Sequence, residues 1–158
     1  IKEVLNDKNV DFSGIPLPYF LIGLLSAFEN RFQAMADKTM KEISWKQFFA
    51  IICIKMCKES PTINELAEIM GSSHQNVKQI LLKLEKKDFV KIIIDKDDKR
   101  KQRILLTEHC KEFCQKNDAM SQAIMESLFY QISPEQLQTT IKTIIQVEDN
   151  LKKLEGEW

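Results

Sequence analysis

Apolar residues recur at helical spacing in two stretches near the start of the chain. Between about residues 19 and 37 they return every three or four positions, which predicts an amphipathic helix. Residues 45–58 are apolar on almost every side, and Ser44 with Gln47 forms a capping-box signal at their start. A helix that is apolar all round is buried, so we expect this second helix at the centre of the core.

A helix-turn-helix pattern comes next. After Pro61 the sequence predicts a short third helix. This helix should end near residue 70, because Gly71 supplies the left-handed conformation that closes a helix. Either Ser72 or Ser73 then caps a fourth helix, which runs to about residue 87.

Two short β-branched stretches, residues 92–94 and 103–106, follow the fourth helix and predict an antiparallel hairpin. The segment 95–101 between them contains no Gly or Pro, but its charge density fits an exposed turn. A long helix from Thr107 to about residue 130 and a last helix from Ser133 complete the pattern. The expected fold is mainly α with a small β-hairpin wing, the arrangement of a winged helix-turn-helix.

The fourth helix has a polar stripe opposite its apolar face. Gln and Asn can form two hydrogen bonds to an adenine edge, Ser can donate or accept, and Lys can neutralise a phosphate. An ordinary amphipathic surface helix is the alternative, but the preceding turn and the basic hairpin favour DNA. The candidate DNA-binding residues at this helix are Ser72, Ser73, His74, Gln75, Asn76, Lys78, Gln79 and Lys83.

The tip of the predicted hairpin is basic, with Lys99, Arg100 and Lys101 as candidate DNA contacts. Acids beside a phosphate surface are unfavourable unless they have a structural task. We expect Asp98 to hold the hairpin and to orient Arg100 through a charge-assisted hydrogen bond. Arg100 would then enter a narrow minor groove, where the negative potential is enhanced. A solvated, charge-balanced turn is the alternative.

The chain of 158 residues has a net charge of zero, which taken alone argues against a polyanionic partner. The distribution is uneven, because residues 78–103 contain ten basic and five acidic residues. This local excess of five positive charges lies on the fourth helix and the hairpin, where a nucleic-acid reader requires it.

Several motifs resemble those of the MarR family of bacterial transcription regulators. Asp98-Lys99-Arg100 followed by Leu106-Thr107-Glu108 is similar to the D-x-R … L-T-E pattern of the family's wing. Residues 84–90 resemble the end of its recognition helix, and Ser133-Pro134-Glu135 resembles the start of its last helix. The resemblance covers about residues 19–154, in the family's helix order.

The resemblance implies a homodimer on a near-palindromic DNA site. Residues 1–158 would form one domain, in which segments of about 12–38 and 121–154 are dimerisation helices and about 44–107 is the winged module. The resemblance also makes Arg100 the minor-groove arginine, with Asp98 as its partner. The function expected is that of a sequence-specific repressor relieved by a small-molecule effector.

Two residues depart from the family pattern. Asp88 stands where the family usually has Gly, although Asp tolerates left-handed geometry better than most residues. Cys110 stands where another Gly often follows Thr-Glu. The effector pocket implied by the resemblance has four aromatic candidates, for which an ordinary core role is the alternative: Tyr19, Phe20, Trp45 and Phe48.

The four cysteines form two pairs with i, i+4 spacing, Cys53/Cys57 and Cys110/Cys114. The C-x-x-C spacing of zinc ribbons is absent, so we expect reduced, buried thiols, no metal and no cofactor. A thiol- or metal-sensing regulator of the same fold is the alternative that these pairs leave open.

Other classes of protein fit the sequence less well. The two histidines have no nucleophile or carboxylate partner at motif spacing, and the chain has no Gly-rich phosphate loop, so we do not expect an enzyme. We expect no membrane span and no secretion signal, and therefore a cytoplasmic protein. A winged-helix module that binds protein rather than DNA remains a further alternative, supported by the zero net charge.

Overall fold

The structure, a computed structural model, describes Phe12 and residues 14–155. The chain divides into two compact units, Ile1–Lys111 and Glu112–Trp158. In chain order the elements are α1 (Leu17–Thr39), α2 (Trp45–Met56), α3 (Ile63–Ile69), α4 (His74–Lys86), β1 (Val90–Ile94), β2 (Gln102–Leu106), α5 (Glu108–Leu128) and α6 (Pro134–Glu155). The expected fold class, mainly α with a hairpin wing, is confirmed.

The core of the first unit forms around α2, as its all-round apolar pattern predicts. Ala50 and Ile51 have no exposed surface, and Leu66 of α3 and Leu81 of α4 are equally buried. The capping box at Ser44 is present, because its hydroxyl accepts from the Gln47 N–H at 3.3 Å and the Gln47 amide oxygen accepts from the Ser44 N–H at 3.0 Å. The helix ends at Met56, slightly earlier than expected from its composition.

The turn between α3 and α4 is made by the residues that the sequence indicates. Gly71 has a φ of 57°, the left-handed region that disfavours residues with a Cβ. Of the two candidate caps it is Ser73 that begins α4, because its hydroxyl accepts a hydrogen bond from the Asn76 N–H at 3.2 Å.

The hairpin pairs β1 with β2 in antiparallel register, from Val90 opposite Leu106 to Ile94 opposite Gln102. Both strands begin earlier than predicted, β1 by two residues and β2 by one. In β1 the reason is burial: Val90 is 1% exposed and packs as a strand residue ahead of the isoleucine run. The second edge of β2 is also occupied, since the Ile104 N–H donates to the Pro61 carbonyl at 3.0 Å.

A tight connection joins α4 to β1. Asp88 has a φ of 59°, so the residue that replaces the family's usual glycine does adopt left-handed geometry. Its carbonyl accepts from the Thr107 hydroxyl at 2.5 Å, and the Thr107 N–H donates to the Phe89 carbonyl at 3.1 Å. These bonds fasten the end of α4 to the end of the hairpin.

The second unit holds most of α5 and all of α6. The hydroxyl of Ser133 accepts from the Gln136 N–H at 3.2 Å, which confirms the predicted cap of the last helix. Much of the apolar seam of α6 is exposed, including Ile141 at 56% and Leu151 at 54%. Among the described residues, no helix combines the length and apolar character that crossing a membrane would require.

The left-handed residue at the end of α4 gives a stability prediction. At position 88, Gly should stabilise the fold by about 1 kcal/mol relative to Ala, because an L side chain is strained at positive φ. The comparison is between Asp88→Gly and Asp88→Ala, measured by urea denaturation.

At Lys83, an exposed position inside α4, the same pair of substitutions should show the opposite order, since Gly weakens a helix interior by about 1 kcal/mol. The same order at both positions would contradict the assigned backbone geometry.

Candidate nucleic-acid interface

The two faces of α4 have opposite characters. Four apolar side chains spaced along one face are buried: Val77, Ile80, Leu81 and Leu84. Of the predicted DNA-binding residues at this helix, Ser72 is half-buried and the others are exposed: Ser73, His74, Gln75, Asn76, Lys78, Gln79 and Lys83. The structure therefore places the predicted polar stripe on the outside of the winged module.

Three of the candidate side chains already have partners within the turn. The Asn76 amide donates to the Ser72 hydroxyl at 2.8 Å, and the Ser73 hydroxyl is occupied as the helix cap. These contacts organise the first turn of α4. The exposed amides of Gln75 and Gln79 lie one turn apart on the same face, where base edges of a major groove could be read.

The far end of α4 is tied to its surroundings by two charged side chains. The Glu85 carboxylate accepts from the Ile92 N–H of β1 at 3.1 Å. The Lys87 ammonium donates to the Glu42 carbonyl, in the loop between α1 and α2, at 2.5 Å. The orientation of α4 is therefore fixed on both sides.

The wing tip is organised by one carboxylate that the sequence interpretation did not single out. Oδ1 of Asp95 accepts from the N–H groups of Asp97 and Asp98 at 2.8 and 2.9 Å. The turn closes through a backbone bond from the Asp95 N–H to the Lys101 carbonyl at 2.9 Å. A side chain thus gives the tip the local hydrogen bonds typical of Asx turns.

Asp98, which the sequence predicts to orient Arg100, contacts the backbone of that residue. Oδ1 of Asp98 accepts from the Arg100 N–H at 3.0 Å, and Oδ2 lies 3.8 Å from the Lys101 ammonium. Asp98 therefore holds the main chain under Arg100 rather than aiming its guanidinium. Lys99, Arg100 and Lys101 are all exposed at the tip.

Arg103 is the second residue of the wing that the sequence interpretation did not single out. Its Nε donates to Oδ2 of Asp95 at 2.5 Å, and its Nη1 donates to the Ser60 carbonyl at 2.9 Å. The same nitrogen lies 3.4 Å from the Glu65 carboxylate. The hydrogen bond from Arg103, with the N–H groups of Asp98 and Asp97, lowers the pKa of Asp95 to about 2.

Not all of the local positive charge is available to a partner. Among the ten basic residues of segment 78–103, Lys87, Lys101 and Arg103 contact protein oxygens. The other seven are exposed: Lys78, Lys83, Lys86, Lys91, Lys96, Lys99 and Arg100. They lie on α4 and the hairpin, so the exposed charge follows the two elements of the candidate interface.

The aromatic residues predicted to line an effector pocket are in different surroundings. The Trp45 ring lies 4.6 Å from the Phe32 ring of α1 and 6.3 Å from the Phe48 ring, measured between centroids. Phe20 packs edge-on against Phe12 at 5.6 Å, and Tyr19 is 75% exposed. Trp45 and Phe48 thus share one aromatic cluster, while the pocket itself stays a prediction.

The four cysteines, all within the described residues, form no disulfide. Cys53 and Cys110 are buried, whereas Cys57 and Cys114 are half-buried. Burial, followed by the neighbouring Cys57, raises the pKa of the Cys53 thiol and so disfavours its reactive thiolate. The part of the chain that the structure describes has no cluster of three or more His, Cys, Asp or Glu suited to a metal ion.

The lowered pKa of Asp95 predicts an acid limit for the wing. A carboxylate with a depressed pKa stabilises the folded form above its unfolded value of about 3.9, and that contribution is lost as the pH falls towards the folded value. We therefore expect the tip to lose order between about pH 4 and pH 2, with Asp95 itself titrating near 2. NMR titration of the amide signals of Asp97 and Asp98 measures this, and a midpoint near pH 4 would contradict the contact with Arg103.

Comparison with known proteins agrees with this geometry. The model of the MarR family matches residues 43–101, which contain α2, α3, α4, β1 and most of the wing tip. No curated protein matches the chain in sequence.

Solved structures with the same fold cover most of the chain. A MarR/EmrR family transcriptional regulator from Acinetobacter sp. ADP1 has a TM-score of 0.77 at 14% identity, over 88% of this chain and 99% of its own. The MepR–DNA complex of S. aureus gives 0.72 at 18% identity, over 81% and 95%. FabT of Streptococcus pneumoniae in complex with DNA gives 0.64 at 18% identity, over 86% and 98%. Residues 43–101 therefore match the MarR family model, and the chain has the winged helix-turn-helix fold seen in solved MarR-family transcriptional regulators.

Proposed function

We propose that this protein is a sequence-specific DNA-binding transcription regulator. The observation that carries the proposal is the shared exposure of the polar α4 stripe and the basic wing tip on one module whose apolar side is buried. In this arrangement α4 enters the major groove and Gln75 and Gln79 read base edges. Arg100 reaches a neighbouring minor groove, and the exposed lysines contact phosphates.

Two of the structural relatives support this proposal. Both MepR and FabT were solved in complex with DNA, and each shares the fold over more than four-fifths of this chain.

We propose further that the active form is a homodimer. In α1, Leu17 and Ile22 are 66% and 54% exposed, and α6 exposes an apolar seam of its own. Exposed apolar helix faces of this kind are often covered in an oligomer, and here a second copy of the chain would cover them. A two-fold dimer presents two winged modules to half-sites roughly 34 Å apart, which accounts for a near-palindromic operator.

The regulation proposed is repression in the cytoplasm, relieved by a small-molecule effector. A ligand that alters the spacing of the two modules changes operator affinity without touching a base contact. The aromatic cluster of Trp45 and Phe48 supports a site for such a ligand, because it joins α2 of the winged module to Phe32 of α1.

The first experiment is a gel shift with a random-sequence duplex at rising salt concentration, followed by selection of the tightest-binding sequences. We expect the duplex to be retarded at low salt. The logarithm of the binding constant should then fall linearly with the logarithm of the salt concentration, as counterion release requires. The selected sequences should contain an inverted repeat. Failure to retard DNA even at low salt would favour a protein-binding module instead.

We predict that Arg100→Ala and Gln79→Ala each weaken binding to the selected duplex by about 1–3 kcal/mol. Arg100→Ala should also reduce the salt slope, because it removes a cation from the DNA surface, whereas Gln79→Ala should relax base preference at one position. Fluorescence anisotropy across a salt series measures both effects. Lys58→Ala and Gln115→Ala, at exposed positions outside α4 and the wing, are the matched controls.

The thiol-sensing alternative has its own test. We predict that Cys53 and Cys110 react slowly with a thiol reagent at neutral pH, because both are buried, and that Cys57 and Cys114 react faster. Reagent titration with mass-spectrometric mapping resolves the four sites. A fast-reacting Cys53, or peroxide treatment that changes DNA affinity, would support the thiol-sensing reading.

A further inference from the structure

We infer that Arg103 is a positioning residue of the DNA-binding wing and not one of its DNA contacts. Its guanidinium bridges the wing tip to the start of α3 and so holds the wing in register with the helix-turn-helix. The inference rests on the proposed function, because the wing matters here as part of the same DNA-binding surface.

On the wing side, Arg103 holds the carboxylate that builds the tip. Nε of Arg103 donates to one oxygen of Asp95, while the other oxygen of Asp95 accepts from the N–H groups of Asp97 and Asp98. Asp98 in turn holds the N–H of Arg100. A chain of hydrogen bonds therefore runs from Arg103 to the backbone of the arginine proposed to enter the minor groove.

On the other side, Arg103 is anchored where α3 begins. Nη1 of Arg103 contacts both the Ser60 carbonyl and the Glu65 carboxylate. That Glu65 carboxylate also accepts from the Thr62 N–H at 2.7 Å in the capping box of α3. One carboxylate thus serves both the helix start and the wing.

Backbone contacts follow the same path. Thr62 and Arg103 form an antiparallel bridge, next to the bond from the Ile104 N–H to the Pro61 carbonyl. The strand that carries Arg103 is therefore fixed against the segment before α3. The tip, residues 95–101, closes through its own backbone bond between Asp95 and Lys101, and the Arg103 side chain joins it to this fixed part.

The contacts require the shape of arginine as well as its charge. Two different nitrogens of one planar group contact Asp95 and Ser60, and the side chain is only 27% exposed. A lysine ammonium is a compact point charge on a flexible stem and does not reproduce this fork. A cation already surrounded by protein oxygens contributes little to the release of counterions from DNA.

The test compares Arg103→Lys and Arg103→Gln with the wild type on the selected duplex, across a salt series. We expect both variants to bind roughly tenfold more weakly or worse, the size of one lost specific contact, with the wild-type salt slope retained. Arg103→Lys decides the matter because it keeps the charge. Wild-type affinity in Arg103→Lys, or a slope reduced by about one in Arg103→Gln, would make Arg103 a phosphate contact and overturn the inference.

Two control variants complete the test. Lys58→Gln removes a positive charge from an exposed position outside α4 and the wing and should leave affinity within about threefold of the wild type, since surface charges act weakly at physiological salt. Arg100→Ala should lower both the affinity for the duplex and the salt slope of binding. If the wild type itself fails to bind any duplex, the proposed function fails. The positioning role of Arg103 is then tested by measurements on the free protein.

The free protein supplies a readout that needs no DNA. In the wild type, the Asp95 carboxyl should titrate at a pKa of about 2, and in Arg103→Gln its pKa should rise while Arg100→Ala leaves it in place. Amide exchange at Asp97 and Asp98 should accelerate in Arg103→Lys without a change in exchange at Leu81, inside α4. An ordinary Asp95 pKa in the wild type would overturn the inference even if the variants fail to fold.

Discussion

Burial of one face of α4 is the constraint on which the rest of the molecule depends. Val77, Leu81 and Leu84 have no exposed surface, and they pack in the core that α2 and α3 also supply. Removing that apolar area from water is the main favourable contribution to the module's stability. In a helix, side chains three or four residues apart share a face. Burying the apolar face of α4 therefore turns Gln75, Gln79 and the lysines outwards. The surface that we propose to contact DNA is thus the geometric complement of the core.

Electrostatics refines this picture. A chain of zero net charge can still present a cationic surface if its acids and bases are sorted, and the exposed bases here follow α4 and the hairpin. Two of the three acids at the wing tip have structural roles. Asp95 and Asp98 accept hydrogen bonds from backbone N–H groups, so these two carboxylates stabilise the turn. Arg103 balances Asp95 and Lys101 lies near Asp98, so the other exposed cations at the tip are those of residues 96, 99 and 100.

The sequence predicted the features that depend on near neighbours. Capping at Ser44 and Ser133, the left-handed Gly71 and the inward face of α4 each depend on residues within one or two helical turns. It also predicted the fold class, because the elements occur in a recognisable order. The predicted starts of the strands were less accurate. Val90 belongs to β1 because it is buried in the folded protein, which its neighbours in the sequence do not indicate.

The roles of Asp95 and Arg103 could not be predicted in the same way. Arg103 contacts Ser60 and Glu65, which lie 43 and 38 positions away in sequence, and only the folded chain brings them together. In the sequence it is one more basic residue in a basic segment. The available signal was its placement: an acid just after β1 and a base near the start of β2 are diagonal neighbours across an antiparallel pair.

A turn without glycine or proline has a consequence for how this protein could diversify. The bend at residues 95–101 is set by two aspartate side chains, so its shape does not depend on which residues occupy positions 96 and 99, whose side chains are exposed. Those positions can exchange without disturbing the hairpin. The residues that build the tip and those that we propose to contact DNA are therefore different and alternate along this segment, so the proposed contacts can change at little cost to folding.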